Sequence, residues 1–279
     1  MGMVLGIDIG GSTTKIIGLE NGVMKRPVSV KASDPIASLF GALGKFMYEN
    51  QTELPQIEHI MITGVGSSGV NQRLYGLPTS RADEFVSDGL GGRYFTGLKR
   101  QIVVSMGTGT SLVQADEDGI RHIGGIGVGG GTIVGLSSLM LGTHNMREII
   151  ALAEKGDITR IDLQIKDISQ SELTDLPMEA TASNFGKVRG TVAQEDIAIG
   201  IVNMVLQCIG KATVLSSLNS GIKDFVLIGN LAKLPQCRLV TKDFEKMFQV
   251  RFHIPQYAEY ATALGAALVY LEGRDSTAL

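Results

Sequence analysis

The sequence contains no tryptophan and only two cysteines in 279 residues. Cys208 and Cys237 are far apart and belong to no CxxC motif or His/Cys cluster, so a disulfide framework is disfavoured. Cys208 stands in the apolar helical pattern AIGIVNMVLQCIG, which predicts a buried thiol. The sequence therefore favours a reduced, cytoplasmic protein.

The chain also lacks a concentrated basic patch, and its formal net charge is −3. Because nucleic-acid-binding proteins gather their basic residues on one surface, a nucleic acid is not an expected partner. The first residues lack the charged-then-apolar pattern of a secretory signal, and no apolar run suggests a transmembrane span. A membrane is therefore not an expected partner either.

Glycine, by contrast, is abundant, with 36 residues gathered in a few places. Such clusters indicate tight turns or a backbone that approaches a ligand closely. One cluster joins two strand-like runs in GIDIGGSTTK, and another joins two strand-like runs in SMGTGTSLV. A third strand is predicted after each pair, over 26–31 and in IRHIGG, and alternating helices and strands follow.

The same series of elements thus occurs twice, offset by roughly 100 residues, which indicates a duplicated architecture. We predict an α/β protein of two halves, 1–98 and 99–279, with a ligand in the cleft between them. Asp34 and Pro35 predict the start of a helix, and the second half is expected to contain a long helix over about 194–219 and another over 235–248.

The two glycine hairpins are suited to bind phosphate, because their backbone N–H groups can approach an anion with no Cβ in the way. Asp8 would repel phosphate unless a divalent cation lay between them, and magnesium is held by one or two carboxylates together with phosphate oxygens and waters. Asp8 therefore predicts a water-mediated Mg²⁺ contact, and Lys15 could neutralise phosphate charge. The alternatives are that the glycines serve only the turns and that Asp8 only caps its turn.

A third glycine-rich stretch, GGGTIVGL at 129–136, precedes a helical run. The first N–H groups of such a helix favour an anion, although the glycines could instead allow close packing. GVGSSG and GIGVGG match the dinucleotide-binding pattern G-x-G-x-x-G, but no second parallel strand ending in an acid follows. The P-loop pattern G-x-x-x-x-G-K-[ST] does not occur.

Together these motifs resemble the acetate and sugar kinase, heat-shock-70 and actin superfamily. SMGTGTSLV, GGIGVGGGTIVGL, ADEF at 82–85 and TASNFGKV at 181–188 are more specifically similar to the type II (eukaryotic-like) pantothenate kinases. The resemblance implies two ribonuclease H-like (actin-like ATPase) domains with mixed β-sheets. It also implies a homodimer formed through the long helix, and transfer of phosphate from ATP with Mg²⁺ to pantothenate, the first step of coenzyme A synthesis.

The resemblance also implies roles for individual residues. Glu84 matches the general base, with Asp83 and Asp88 as competing acids on the same stretch. The positions expected to contact the nucleotide, its phosphates or its metal ion are Asp8, Gly10, Gly11, Ser12, Lys15, Gly107, Thr108, Gly109, Gly130, Gly131, Thr132, Ile133 and, more weakly, Asn230.

The acceptor end departs from the family pattern, because His122 stands where an arginine is expected to contact pantothenate. Arg121 precedes it, but adjacent strand residues point to opposite faces, so Arg121 cannot simply take over. His122 could donate a hydrogen bond to a carboxylate or amide, or be only a solvent-facing strand residue. Ser183 and Asn184 are further candidates for substrate binding, in a loop that could instead only bridge a dimer.

Three other functions stay open from the residues alone. Pantetheine is an alternative acceptor, and a sugar or N-acetylhexosamine kinase is a rival enzyme of the same superfamily. A rival outside the kinases is an ATPase that activates a dehydratase, which needs cysteines for an iron–sulfur cluster. The two isolated cysteines support that rival only weakly.

Overall fold

The computed structural model describes residues 2–31, 34–171 and 177–279, and its two main sheets share one strand order. In each sheet an antiparallel three-stranded meander is extended by two parallel strands. In spatial order the first sheet runs Val28–Lys31, Thr13–Glu20, Met3–Ile9, Ile57–Thr63 and Thr79–Arg81, and the second runs Gly119–Ile126, Thr110–Asp116, Gln101–Met106, Asp224–Ile228 and Arg251–His253. The duplication predicted from the glycine hairpins is therefore confirmed in the topology.

The bounds of the strands place the glycines of each of the two hairpins in a tight turn between paired strands. The first sheet comprises β1 (Met3–Ile9), β2 (Thr13–Glu20), β3 (Val23–Met24), β4 (Val28–Lys31), β5 (Ile57–Thr63), β6 (Thr79–Arg81) and the final strand β14 (Thr277–Ala278). The second comprises β7 (Gln101–Met106), β8 (Thr110–Asp116), β9 (Gly119–Ile126), β12 (Asp224–Ile228) and β13 (Arg251–His253). A separate short hairpin pairs β10 (Leu163–Gln164) with β11 (Thr181–Ser183).

Helices cover the sheets and connect most of their parallel strands, except that short 3₁₀ turns join β5 to β6. The helices are α1 (Pro35–Asn50), α2 (Glu84–Thr96), α3 (Gly130–Leu141), α4 (Met146–Ala153), α5 (Gln194–Ser216), α6 (Pro235–Phe248) and α7 (Ala261–Leu271). The predicted start of α1 is confirmed, since the Asp34 side chain accepts a hydrogen bond from the Ala37 N–H and Pro35 follows it. GVGSSG opens only a short 3₁₀ turn rather than a long helix, so the dinucleotide-binding reading fails there.

The strand β1 is buried along its whole length because helices cover both faces of the first sheet. On one face Leu5 and Ile7 pack with α1 residues such as Phe46. On the other face Val4 packs with apolar residues of α7. The last helix of the chain thus completes the core of the first half, and β14 adds a strand to the first sheet, so these C-terminal elements pack with the first half. The division of the chain into 1–98 and 99–279 stays a prediction.

Helix α5 is the long helix predicted from the sequence, although it ends at Ser216 rather than about residue 219. Contrary to expectation, it is long and apolar enough to cross a membrane by length and composition, but half of its most apolar window is buried within the protein. Such burial is typical of a core helix, and α5 packs against α3, α4 and α6.

The prediction of a buried Cys208 thiol is wrong. The buried side of α5 includes Ile201, Val205 and Ile209, whereas Cys208 is exposed on the side that also carries the exposed Leu215. The sequence pattern is apolar on both sides of this helix, so periodicity alone could not tell the covered side from the uncovered one. The other cysteine, Cys237, is buried, and burial raises the pKa of its thiol to about 12.

Candidate functional site

The two glycine hairpins face each other across a cleft of about 470 Å³. A methyl group placed on Gly11 in the first turn would lie 3.3 Å from the Thr108 hydroxyl in the second. The cleft brings together most of the residues predicted to contact a nucleotide or substrate. Those that line it are Asp8, Gly10, Gly11, Ser12, Lys15, Glu84, Gly107, Thr108, Gly109, His122 and Asn230.

Asp8 and Lys15 are paired directly across β1 and β2, and their side chains form an ion pair of 3.3 Å. Both residues are buried, with 7% of their surface exposed, yet both line the cleft. The lysine therefore partly neutralises the aspartate beside the first glycine hairpin. Among the described residues no group of three or more His, Cys, Asp or Glu could hold a metal.

Glu84 is the first residue of α2 and lines the cleft between the two halves. Its pKa is raised, chiefly by burial and then by the neighbouring charges of Asp8 and Asp83, while Lys15 acts in the opposite direction. The competing acid Asp83 has a structural contact instead, since its side chain accepts a hydrogen bond from the Val86 N–H and caps the helix. A carboxylate with a raised pKa in a cleft is well suited to accept a proton.

Asp88, one turn further along α2, is completely buried beneath the cleft. Its Oδ1 accepts a hydrogen bond of 2.6 Å from the Thr262 hydroxyl of α7, and its Oδ2 lies 3.4 Å from the Ser111 hydroxyl of β8. Burial is the largest cause that raises the pKa of Asp88 to about 8. Because the solvent does not reach it, Asp88 is a less suitable base for an entering substrate than Glu84.

The start of α3 differs from the expectation that its first N–H groups are free for an anion. The Gly130 N–H donates to the Gly107 carbonyl (2.8 Å) and the Gly131 N–H to the Thr108 carbonyl (2.9 Å). The glycines allow this close packing, since a Cβ on Gly129 would lie 2.6 Å from the Thr108 oxygen. The helix start therefore supports the second hairpin from behind.

The other two predicted residues of α3 also lie behind the hairpin. The Thr132 hydroxyl accepts a hydrogen bond from the Gly129 N–H, which closes the first turn of the helix. Ile133 is fully buried, and its side chain belongs to the core of the second half. Any contact of these residues with a nucleotide stays a prediction.

His122 lines the cleft, where its ring stacks on Phe85 with centroids 4.0 Å apart and planes at 16°. Arg121 is exposed and does not line the cleft. The strand register explains the difference, because His122 pairs with Val113 and Arg121 with Gln114, so the two side chains leave β9 on opposite faces.

Ser183 and Asn184 do not line the cleft. Asn184 instead donates a hydrogen bond of 3.1 Å to the buried Asp162 carboxylate. That carboxylate also accepts hydrogen bonds from the Phe185 N–H and the Asn203 side chain of α5. Within one chain the TASNF segment is therefore a structured loop fixed to α5, and its role in substrate binding stays a prediction.

Several side chains that line the cleft were not predicted from the sequence, among them Ser105, Ser111, Thr262 and Phe85. A signal existed for the first, because Ser105 interrupts the apolar strand QIVVSM and pairs with Ser111 across β7 and β8. Nothing in the sequence indicated Thr262, because it reaches the cleft from α7 and meets Asp88, which lies 174 residues earlier in the chain.

Comparison with known proteins finds a matching family and relatives over most of the chain. The Fumble family model matches residues 99–268. A type II pantothenate kinase of Staphylococcus aureus (strain bovine RF122 / ET3-1) is 29% identical over 97% of this chain and all of its own length. Another, from strain MRSA252, is 32% identical over 67% of each chain.

Solved structures share the fold at low sequence identity. The activator of the 2-hydroxyisocaproyl-CoA dehydratase from Clostridium difficile, with bound ADPNP, has a TM-score of 0.70 at 15% identity and covers 97% of this chain and 95% of its own. A ROK family glucokinase from Streptomyces griseus, in complex with glucose and AMPPNP, has a TM-score of 0.62 at 12% identity, with coverage of 96% and 99%. The predicted duplicated actin-like fold is thereby confirmed, and the chain belongs to the Fumble family of type II pantothenate kinases.

Proposed function

We propose that this protein transfers the γ-phosphate of ATP, with Mg²⁺, to the primary hydroxyl of pantothenate. The observation that carries the proposal is the position of Glu84 in the cleft between the two glycine hairpins. Membership of the family and the names of the Staphylococcus aureus relatives support pantothenate as the acceptor. The nucleotide analogues named with two structures of the same fold support a nucleotide as the donor.

The residues of the cleft divide the reaction between two ends. At the phosphate end the backbone of the two hairpins surrounds the phosphates, and Lys15 offsets part of their negative charge. At the acceptor end Glu84 accepts the hydroxyl proton as the new P–O bond forms, because an un-ionised alcohol is a poor nucleophile. His122, held flat against Phe85, is the residue available to orient the acceptor by a hydrogen bond.

The residues at the phosphate end fit a magnesium ion that is bound chiefly through the nucleotide. Such a site needs only one or two protein carboxylates, because phosphate oxygens and waters complete the shell, and Asp8 lines the cleft beside the hairpin. Mg²⁺ at this position would neutralise charge on the phosphates. The absence of a larger acidic cluster among the described residues is consistent with this kind of site.

Replacing Asp8 tests that role. Asp8→Asn is expected to raise the Mg²⁺ concentration needed for half-maximal rate and to lower the rate at saturating Mg²⁺ by about 10–100-fold, as for the loss of a group that orients a metal. A magnesium titration of turnover measures both, with Asp243→Asn on α6 as the control for the loss of one carboxylate. An unchanged titration curve would remove Asp8 from the site.

The acceptor is tested with purified protein, MgATP and a panel of pantothenate, pantetheine, glucose and N-acetylglucosamine. We expect phosphorylated pantothenate, detected by mass spectrometry, and no sugar phosphate. No transfer to pantothenate above the background without enzyme would contradict the proposal. An iron–sulfur activator is a poor fit, since Cys237 is buried as a thiol, and absorbance near 400 nm in an anaerobic sample would reopen that reading.

We further propose a cytoplasmic homodimer formed along α5. The uncovered side of this helix presents Cys208 and Leu215, and Leu218 follows in the adjoining turn. An apolar surface of this kind is suited to association with a second copy. Light scattering after size-exclusion chromatography measures the mass, and replacing Leu215 with Glu is expected to shift it from two chains to one.

A further inference from the structure

Asp88 is a buried carboxyl group that the proposed reaction does not use. It is fully buried, whereas Glu84 on the same helix lines the cleft. Among the described residues no ion pair includes Asp88. A buried carboxylate without a cation is strongly disfavoured, so such a group stays protonated or requires several donors.

The contacts of Asp88 connect three elements that meet under the cleft. It extends from α2 to Thr262 of α7 at 2.6 Å and to Ser111 of β8 at 3.4 Å, and Ser105 of β7 is a third hydroxyl partner. Hydroxyl groups can donate or accept, so they satisfy a neutral acid as well as an anion. The same hydroxyl-bearing residues line the cleft above.

The charges around Asp88 favour the neutral form. Glu84 on its own helix and Asp8 of β1 are both acids and both raise its pKa. Lys15 of β2 is already paired with Asp8, and His122 of β9 stacks on Phe85. The sequences of α7 and β7 contain no Asp, Glu, Lys, Arg or His. At the far end of α2, Arg93 donates to the main-chain carbonyl of Asp116, and Asp224 of β12 is paired with Arg251.

We propose that Asp88 is a positioning residue of this site that works as the neutral acid, holding the hydroxyls of the cleft floor in place while adding no negative charge beside Glu84 and the phosphates. The inference rests on the proposed function. Two carboxylates, Asp8 and Glu84, then face the nucleotide rather than three. Ionisation of Asp88 would place a third charge under the phosphates and weaken the binding of MgATP.

The protonation state of Asp88 is measurable without any activity. Carboxyl ¹³C spectra of the free protein, labelled at aspartate, are recorded from about pH 5 to 10. The resonance that disappears in Asp88→Asn is expected to titrate near pH 8, in line with the pKa raised by burial. Thr262→Val removes the donor that lowers this pKa, so the resonance should titrate at a higher pH in that variant. Titration below about pH 7, or a carboxylate already ionised at about pH 5, would overturn the proposal.

The role in the site is measured by the affinity for MgATP. In the unmodified protein the dissociation constant is expected to rise about tenfold more between pH 7 and pH 9 than in Asp88→Asn, because only the former gains a buried charge. The pH dependence of kcat/KM for pantothenate should change in the same way. Asp118→Asn, in the exposed turn between β8 and β9, is the control for net charge.

The outcomes separate this inference from the proposed function. Titration near pH 8 with identical pH dependence of MgATP affinity in both proteins would reduce Asp88 to a structural residue and overturn the positioning role. Failure to phosphorylate pantothenate would contradict the proposed function, while the carboxyl titration and the MgATP affinities would still decide the role of Asp88. If Asp88→Asn does not fold, Thr262→Val takes its place. The higher pKa of Asp88 in that variant should move the loss of MgATP affinity to a higher pH.

Discussion

Glu84→Gln is expected to reduce kcat by about 10²–10⁴-fold, the usual contribution of a general base. The side chain keeps its size and its place at the start of α2, but it can no longer accept the proton of the acceptor hydroxyl. The loss should appear in kcat and kcat/KM equally, because the interaction develops only in the transition state. Steady-state kinetics with pantothenate measure both constants.

The nucleotide affinity of the same variant separates catalysis from folding. Glu84→Gln should bind MgATP at least as tightly as the unmodified protein, because one negative charge is removed from the cleft. Glu154→Gln, an exposed residue just after α4, is the matched control. Near-normal turnover in Glu84→Gln would instead direct attention to Asp83.

The raised pKa of Glu84 also predicts the acid side of the pH profile. The residue acts as a base only when ionised, so the rate should rise with pH through the raised pKa of Glu84. Burial favours its neutral form in the folded protein. The stabilisation that comes from burying neutral Glu84 is therefore complete below the pKa that this residue has in the unfolded chain. It is lost as the pH rises through the raised pKa of Glu84 in the folded protein. A pH-rate profile that loses its acid limb in Glu84→Gln is the expected signature.

Local sequence signals determined the phosphate end of the site. Asp8 and Lys15 flank one turn, so the pairing of β1 with β2 brings them together wherever the hairpin forms. Glu84 follows a helix cap at Asp83, which fixes its place at the start of α2. Contacts of this kind depend on a few neighbouring residues, so a local pattern is enough to place these side chains at the turn and at the helix start.

The floor of the site could not be predicted in the same way. Thr262 meets Asp88 only because α7 returns to pack on the first sheet, and no local pattern encodes that crossing. The stacking of His122 on Phe85 likewise depends on how β9 approaches α2. The expectation of free N–H groups at Gly130 and Gly131 was wrong for a related reason. These groups donate to carbonyls of the second hairpin turn, which is distant along the chain.

Gly265→Ala is expected to destabilise the protein by about 3 kcal/mol or more, the upper range for overpacking a core. A Cβ at Gly265 would overlap the Ser87 carbonyl oxygen of α2, which is backbone and cannot rotate away. Gly6 and Gly91 have the same restriction against the main chain of α7, so the crossing of α2, α7 and β1 has no room to adjust. Thermal unfolding should therefore show a fall of roughly 6–12 °C in Tm, at about 2–4 °C for each kcal/mol.

Gly44→Ala on α1 is the matched control, because it makes the same chemical change in a helix where no atom lies within 4 Å of the added methyl group. It should raise stability by about 0.5–1 kcal/mol, the difference in helix propensity between alanine and glycine. Gly265→Ala should also lower the affinity for MgATP. The displaced Ser87 lies in α2, between Glu84 at the start of the helix and Asp88. Equal stability of the two variants would contradict the tight packing of α7 against α2.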